Sequence, residues 1–178
     1  MGLSSFLKNL ISGNQPDRRQ DLEDKVAAAI SSAPNKTLIC AVEDHYLPHG
    51  GRGEMWVTFS PGGGHILRTR SPEQGEEIKL TRECDADEAS RIREMLKKIG
   101  AWKLEDSQQP ITDGWQCTIC LAEGDIRHSI RINAATGDHL RLIRYLYGLL
   151  PIAEDQYGRL TDVLMDEANN NSLNPSAG

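Results

Sequence analysis

The feature that most constrains this chain is an alternation of apolar and polar residues between positions 115 and 132. Successive side chains of a strand point to opposite faces, so each of the two alternating runs predicts a strand with one buried face. A short interval at residues 122–125 separates the runs and predicts the turn of a hairpin. The inward positions are Trp115, Cys117, Ile119 and Leu121 in the first strand and Ile126, His128, Ile130 and Ile132 in the second.

Helical spacing and further extended segments alternate along the rest of the chain. The most sharply bounded helix begins after Asp85, whose carboxylate can cap it, and ends at Gly100. Strands are predicted over residues 37–42, 55–59, 65–70 and 78–82, and helices over residues 16–33, 85–99, 136–149 and 154–168.

The order of these elements predicts an α+β fold, a two-layer sandwich in which helices pack on one face of a mainly antiparallel sheet. Each predicted hairpin is followed by a helix, so a duplicated strand–strand–helix unit is an alternative way to describe the same order. The helix over residues 136–149 is expected to bury Leu140, Ile143, Leu146 and Leu150 against the sheet.

The two termini differ in composition from the rest of the chain. Residues 1–13 have apolar side chains at helical spacing and predict a short amphipathic helix that binds a partner, whereas residues 14–168 form the predicted single α+β domain. Peripheral membrane contact is the weaker alternative, because this segment has one basic residue. Residues 169–178 read as a disordered tail. The predicted partner-binding side chains are Leu3, Phe6, Leu7, Leu10 and Ile11.

Charge and composition exclude several classes of function. With 20 Lys and Arg against 26 Asp and Glu, the formal net charge is -6, so we expect no binding of nucleic acid by bulk electrostatics. The apolar runs are too short to span a bilayer, and the first residues lack a signal-peptide pattern, so a cytoplasmic location is expected. Four cysteines are too few for a disulfide framework in 178 residues.

The spacing of Cys117 and Cys120 resembles a redox or zinc motif, but the strand period argues against that reading. Residues three apart in a strand face opposite sides of the sheet, so these two thiols cannot meet. No phosphate-binding loop, nucleophile elbow or second Cys pair accompanies them. We therefore expect packing thiols, no bound metal and no cofactor.

The densest polar segment, residues 43–53, is predicted to be a loop after a buried strand. Its histidines and carboxylates could bind a divalent metal, although a flexible hairpin connection explains the same composition. A histidine among isoleucines at position 128 could be a core group or a general base. The candidate polar site therefore consists of Asp44, His45, His49, Arg52, His65 and His128.

A second charged group contains four arginines that lie close together in the sequence. A solvated surface is the simplest interpretation, and a site for an anion or an acidic partner is the alternative. The four residues are Arg127, Arg131, Arg141 and Arg144.

In order of elements, size and acidity, the chain resembles the type III secretion chaperones. The resemblance implies a small dimeric protein that holds partner chains without catalysis. We therefore expect a non-enzymatic, cytoplasmic binding or adaptor protein whose partner is another protein or a second copy of the chain. The alternative is a metal-dependent enzyme or metal-binding protein that uses the loop histidines.

Overall fold

The computed structural model describes residues 18–34, 36–46, 52–71, 77–107, 115–133 and 135–150. The predicted N-terminal helix, the helix over residues 154–168 and the tail lie outside these ranges, so the domain boundaries stay predictions. None of the described helices is long and apolar enough to cross a membrane. The elements are α1 (Arg18–Ser31), β1 (Leu38–Tyr46), β2 (Arg52–Ser60), β3 (Gly63–Ser71), β4 (Ile78–Cys84), α2 (Ala86–Ile99), a 3-10 turn (Ala101–Lys103), β5 (Trp115–Glu123), β6 (Ile126–Ile132) and α3 (Gly137–Leu149).

The six described strands form one antiparallel sheet in the order β4-β3-β2-β1-β5-β6. The α+β class with an antiparallel sheet is therefore confirmed. The predicted hairpin is β5 with β6, and its turn is shorter than expected because Glu123 still pairs with Ile126. Gly124 opens the turn with a φ of 58°, a backbone conformation that glycine adopts without steric cost.

One face of the sheet is covered by α2 and α3, as predicted. Asp85 caps α2 by accepting a hydrogen bond from the Glu88 backbone N at 2.7 Å, and Gly100 ends the helix with a φ of 78°. The buried stripe of α3 differs from the prediction: Leu140 is half-buried, and Tyr147 takes a buried position. The α3 residues that are buried are Leu142, Ile143, Leu146 and Tyr147.

The other face of the sheet also receives a helix, because α1 packs over β1, β5 and β6. The expected one-sided packing thus holds for α2 and α3 but not for α1. The physical reason is that β1 and β5 are apolar on both faces, so each face needs its own cover. Leu22, Val26 and Ile30 of α1 bury Ile39, Ala41, Cys120 and Ala122 of the sheet.

The chain from Glu43 to Tyr46 continues β1 and is not the loop that its polar composition predicted. Glu43, Asp44 and His45 are all buried, and β2 begins at Arg52. These residues stay in the sheet because oppositely charged or hydrogen-bonding side chains meet them on both faces. Between the first hairpin and α2 lies a further strand, β4, so the two halves of the proposed duplication are unequal.

Candidate functional site

A buried polar cluster lies where the end of β1 meets α3. Asp44 is paired with Gly53 of β2, and Gly53 is paired with Arg70 of β3, so these residues share the face that α3 covers. The Tyr147 hydroxyl of α3 donates a hydrogen bond to Asp44 Oδ2, and Arg70 Nη1 lies 3.6 Å from the same oxygen. The cluster therefore links three elements through one carboxylate.

Arg68 extends this cluster toward the end of α3. Its guanidinium carbon lies 4.4 Å from the centre of the Tyr147 ring, a cation–π distance. Arg68 Nη1 also donates to the Leu150 carbonyl at 3.0 Å, and Arg82 Nε donates to the Leu149 carbonyl at 3.2 Å. Because carbonyls at a helix C-terminus lack helical donors, the two arginines stabilise the end of α3.

Burial keeps the neutral groups of this cluster protonated. Burial and the nearby Asp44 carboxylate raise the pKa of the Tyr147 hydroxyl well above its ordinary value. The same two causes raise the pKa of the Cys117 thiol. Tyr147 is therefore held as a hydrogen-bond donor and Cys117 as an unreactive thiol.

The cluster has no room for a substrate. The space between Asp44, Gly53 and Tyr147 does not admit a water molecule. Asp44 Oδ1, which has no hydrogen-bond partner among the described residues, points toward Gly53. A catalytic base must reach the proton that it abstracts, so this arrangement supports the packing of α3 and not a reaction.

A second charged group lies on the opposite face of β1, beneath the start of α1. His45 Nε2 lies 3.2 Å from Glu43 Oε1, and Arg52 Nη2 lies 2.8 Å from the same oxygen. Arg18 Nη1 donates to His45 Nδ1, which must therefore accept, so the Nε2 atom of His45 is the one that bears the proton and donates it to Glu43.

Electrostatics in this second group favour the ionised form of Glu43. Burial alone would raise its pKa, but the hydrogen bond from His45 and the positive charge of Arg52 outweigh burial and lower the pKa. The negative charge of Glu43 is thus part of the attachment between β1, β2 and α1.

The structure separates most of the predicted site residues. His45 and Arg52 share one face of the sheet, whereas Asp44 faces the other side. His65 pairs with Thr58, which pairs with Ile39 on β1, about six residues before His45. His65 and His45 are therefore roughly 20 Å apart along the strands. His49 and the N-terminal side chains Leu3, Phe6, Leu7, Leu10 and Ile11 lie outside the described residues.

His128 lies about five residues along the sheet from the level of His45, roughly 17 Å away. It is half-buried on the face of Ile130, and its Nε2 atom lies 2.8 Å from the Leu104 carbonyl oxygen. The imidazole therefore binds the segment after the 3-10 turn.

Metal-binding side chains do not converge in the part of the chain that the structure describes, where no group of three His, Cys, Asp or Glu could hold an ion. Cys117 and Cys120 face opposite sides of the sheet, as their spacing predicts. All four cysteines are buried and free. Burial raises the pKa of Cys120 to about 12.

Over β2, β3 and β4, the face of the sheet that carries α1 is largely uncovered by the residues that the structure describes, although Trp56 packs partly against the α1 cluster. Ile39 of β1 packs under α1, and it pairs with Thr58, which pairs with His65, which pairs with Glu83. Because paired residues share a face of the sheet, all four lie on the α1 side. Within the described ranges, α1 contacts the other half of the sheet. We call this region the open face, and its half-buried or exposed side chains are Trp56, Thr58, His65, Leu67, Thr69 and Thr81.

The central row of the open face holds two large apolar side chains, Trp56 and Leu67, followed by Thr81. Trp56, Leu67 and Thr81 pair in sequence across three strands. Trp56 packs partly against the α1 cluster, and its indole N donates to Glu54 Oε1 at 2.6 Å. A groove of about 490 Å³ continues the face past the end of α1, near His65.

Three residues of the polar cluster, Arg68, Arg70 and Tyr147, are not among the predicted site residues. A signal was present, because Arg68 and Arg70 follow Ile66 with the period of a strand and so occupy inward positions. Two arginines on a buried face require acceptors: the Asp44 carboxylate meets Arg70, and the Leu150 carbonyl meets Arg68. Nothing in the spacing of α3 identifies Tyr147 as the other partner.

Comparison with known proteins assigns the chain to no family: no protein-family model and no curated protein matches it.

Proposed function

We propose that the protein is a non-catalytic adaptor that binds a segment of another protein on the open face. The observation that carries this proposal is the row of Trp56, Leu67 and Thr81, in which Trp56 packs partly against the α1 cluster while α1 makes its main contacts with β1, β5 and β6. An apolar centre surrounded by polar residues is the usual composition of a protein interface. Tryptophan at such a centre commonly contributes much of the binding energy.

Polar residues at the margins of the open face suit a protein partner. Thr69 pairs with Lys79 on one side of the central row, and His65 pairs with Glu83 on the other. Charges of both signs can orient a partner segment but add little affinity while exposed to water. Trp56 and Leu67 of the central row are therefore proposed to supply affinity, and the flanking rows to supply register.

The two edge strands, β6 and β4, differ in whether another segment of the described chain binds their backbone, and this difference favours binding near β4. At β6, Ser107 N donates to the Arg131 carbonyl at 2.8 Å, and Arg131 N donates to Asp106 Oδ1 at 2.9 Å. These contacts occupy backbone groups that an added strand would need. Among the described residues no such segment covers β4, so an extended partner segment at the open face could also pair with that edge.

The remaining features of the proposal follow from the composition. A reducing compartment, such as the expected cytoplasm, suits four buried free thiols. The resemblance to secretion chaperones also favours binding over catalysis, and the net charge of -6 disfavours nucleic acid as the partner.

Site-specific cross-linking tests the proposal with the full-length chain. A photoreactive amino acid at position 81 should cross-link the partner, whereas the same group at position 90, exposed on α2, should not. For the purified partner, Leu67→Asp should weaken binding at least tenfold, and Ser90→Asp should change it less than twofold. Isothermal titration and a thermal melt of each variant provide these measurements.

Three results would contradict the proposal. One is a chain that yields no cross-linked protein, and another is affinity that does not respond to Leu67→Asp. The third is binding that depends on residues 1–13 alone, which would move the site to the predicted N-terminal helix. A cross-link only to a second copy of the chain would identify the open face as a dimer interface.

A further inference from the structure

The strand β4 is the free edge of the sheet in the part of the chain that the structure describes. It pairs with β3 over all 7 of its residues without a bulge, and no described strand lies on its other side. An edge of this kind presents backbone N–H and C=O groups that another strand can bind. A strand that binds there has to match the side chains on both faces of β4.

The β4 side chains on the open-face side are complementary to a second copy of themselves. Lys79, Thr81 and Glu83 lie on this side and are exposed. Thr81 is the middle residue of β4, with the lysine two residues before it and the glutamate two residues after it. A second β4 that is antiparallel and centred on the same threonine therefore places Lys79 opposite Glu83 at both ends. Opposite-charge pairs and threonine pairs of this kind stabilise adjacent strands.

The sheet itself gives neither of these charges a full counter-charge. Across the β3–β4 pair, Lys79 faces Thr69 and Glu83 faces His65. A lysine on an edge strand commonly prevents association, because a second strand brings its own lysine or an apolar surface against it. In the register centred on Thr81, each lysine meets a carboxylate, so the edge charges favour association with a second copy.

The neighbouring registers of the same strand pair are less favourable. A pair centred on Leu80 places Glu77 opposite Glu83 of the second copy, and a pair centred on Arg82 places two arginines opposite each other. Both shifts also shorten the overlap of the two strands. A shift by one residue would put the open face of one copy beside the helix-covered face of the other. The charges and the alternation therefore select the register centred on Thr81.

We propose that β4 pairs antiparallel with β4 of a second copy about Thr81, so that two chains form one continuous sheet. The two-fold axis is perpendicular to the sheet, so the open faces of both copies lie side by side. Trp56, Leu67 and Thr81 of each copy then form one row across the dimer. The second copy takes the β4 backbone, and a bound protein segment contacts open-face side chains of both copies. This last consequence rests on the proposed function, whereas the dimer itself does not.

Sedimentation equilibrium of the purified full-length chain, without any other protein, tests this pairing. The wild type should form a dimer. Lys79→Glu and Glu83→Lys should each raise the dimer Kd at least tenfold, because the symmetry places like charges opposite each other twice. The two substitutions combined in one chain exchange the charges and should restore the Kd to within threefold of the wild type. An equimolar mixture of the two single variants should likewise form a heterodimer.

Lys98→Glu is the matched control, because it makes the same change of charge at an exposed position in the last turn of α2. It should change the dimer Kd less than twofold. Both edge positions are also exposed, and a thermal melt checks that every variant folds. A wild type that stays monomeric at every concentration measured would overturn the proposal. So would charge reversals whose combination does not restore the dimer.

Hydrogen exchange gives a second readout that needs no substitution. The amides of β4 should exchange more slowly as the chain concentration rises through the dimer Kd, whereas those of the other edge, β6, should not change. A dimer that protects β6 and not β4, or one that is lost on deletion of residues 1–13, would overturn the proposal. Neither measurement involves a partner protein, so a failure of the proposed adaptor function would leave both results unchanged.

Discussion

At the scale of single residues, the backbone of Gly53 approaches the Asp44 side chain closely. A Cβ atom at Gly53 would lie 2.2 Å from Asp44 Oδ1, well inside the contact distance of any two heavy atoms. Asp44 has little freedom to move away, because Tyr147 and Arg70 hold its other oxygen. Glycine is thus required here for space and not for an unusual backbone angle.

We therefore expect Gly53→Ala to lower the free energy of unfolding by about 1–3 kcal/mol, the usual cost of overpacking a buried site. Gly62→Ala is the control, because nothing lies within 4 Å of a Cβ at that position. Its stability should change by less than about 0.5 kcal/mol or rise slightly. Urea denaturation measures both variants, and equal stability of the two would contradict the conclusion that position 53 has no space for a Cβ atom.

At the scale of elements, hydrogen bonds and an ion pair attach the start of α1 to β1, to β6 and to the segment after the 3-10 turn. Arg18 reaches His45 on β1, while Arg19 Nη1 lies 2.7 Å from Asp106 and Arg19 Nε donates to Ser129 Oγ of β6 at 2.8 Å. Burial of Leu22, Val26 and Ile30 supplies the apolar part of the attachment. The polar contacts determine where along the sheet the helix lies.

The lowered pKa of Glu43 makes this attachment sensitive to acid. A carboxyl whose pKa is lower in the folded state stabilises the fold above its ordinary value of 4.5, and this stabilisation is lost as the pH falls through the folded pKa. We expect the unfolding free energy of the wild-type chain to fall with pH below about 4.5, and Glu43→Gln to make that dependence shallower.

Urea denaturation from pH 7 to pH 3 provides this comparison. Glu94→Gln is the control, since the Glu94 side chain is 73% exposed and should leave the pH dependence parallel to that of the wild type. If the unfolding free energy of Glu43→Gln changes with pH in parallel with that of the wild type, ionisation of Glu43 is not the cause of the acid sensitivity.

At the scale of the whole molecule, helices on both faces enclose the centre of the sheet. Cys40 and Cys117 lie under α2 and α3, and Cys120 lies under α1. Burial raises the pKa of each of these thiols, so neither access nor ionisation favours their reaction.

Alkylation of these three cysteines should therefore require unfolding of the domain. With iodoacetamide at pH 8, we expect mass spectrometry to find them unmodified in the native chain and modified in denaturant. A cysteine at the exposed position 90 (Ser90→Cys) should react at once in the native chain and serves as the control. If the three thiols of the native chain were alkylated as fast as this control, the conclusion that the helices bury them would be wrong.

The elements that could be predicted are those whose stability comes from neighbours in sequence. The helix α2 has its cap, its apolar stripe and its terminal glycine within 16 residues, and the structure confirms all three. The β5–β6 pair is similarly local, because its strands are joined by two residues. For the same reason the opposite orientations of Cys117 and Cys120 followed from spacing alone.

The buried polar cluster around Asp44 could be predicted only in part, because its residues are far apart in the sequence and meet only in the folded chain. Asp44 was selected for its residue type, but Arg70 and Tyr147, its partners, come from another strand and from α3. The start of the predicted loop at residues 43–53 belongs to β1 for the same reason. Its charged side chains suggest exposure to water, but in the folded chain they are buried because charged groups from distant parts of the sequence pair with them.

By itself, the sequence determined the α+β class, the capped helix α2 and the directions of side chains in each alternating strand, since these depend on local periodicity and backbone sterics. Only the tertiary structure decided that α1 covers the second face over β1, β5 and β6, that the described residues leave most of the rest of that face uncovered, and that Asp44 binds Tyr147. Such contacts depend on which surfaces the folded chain brings together, and residue spacing does not encode that choice.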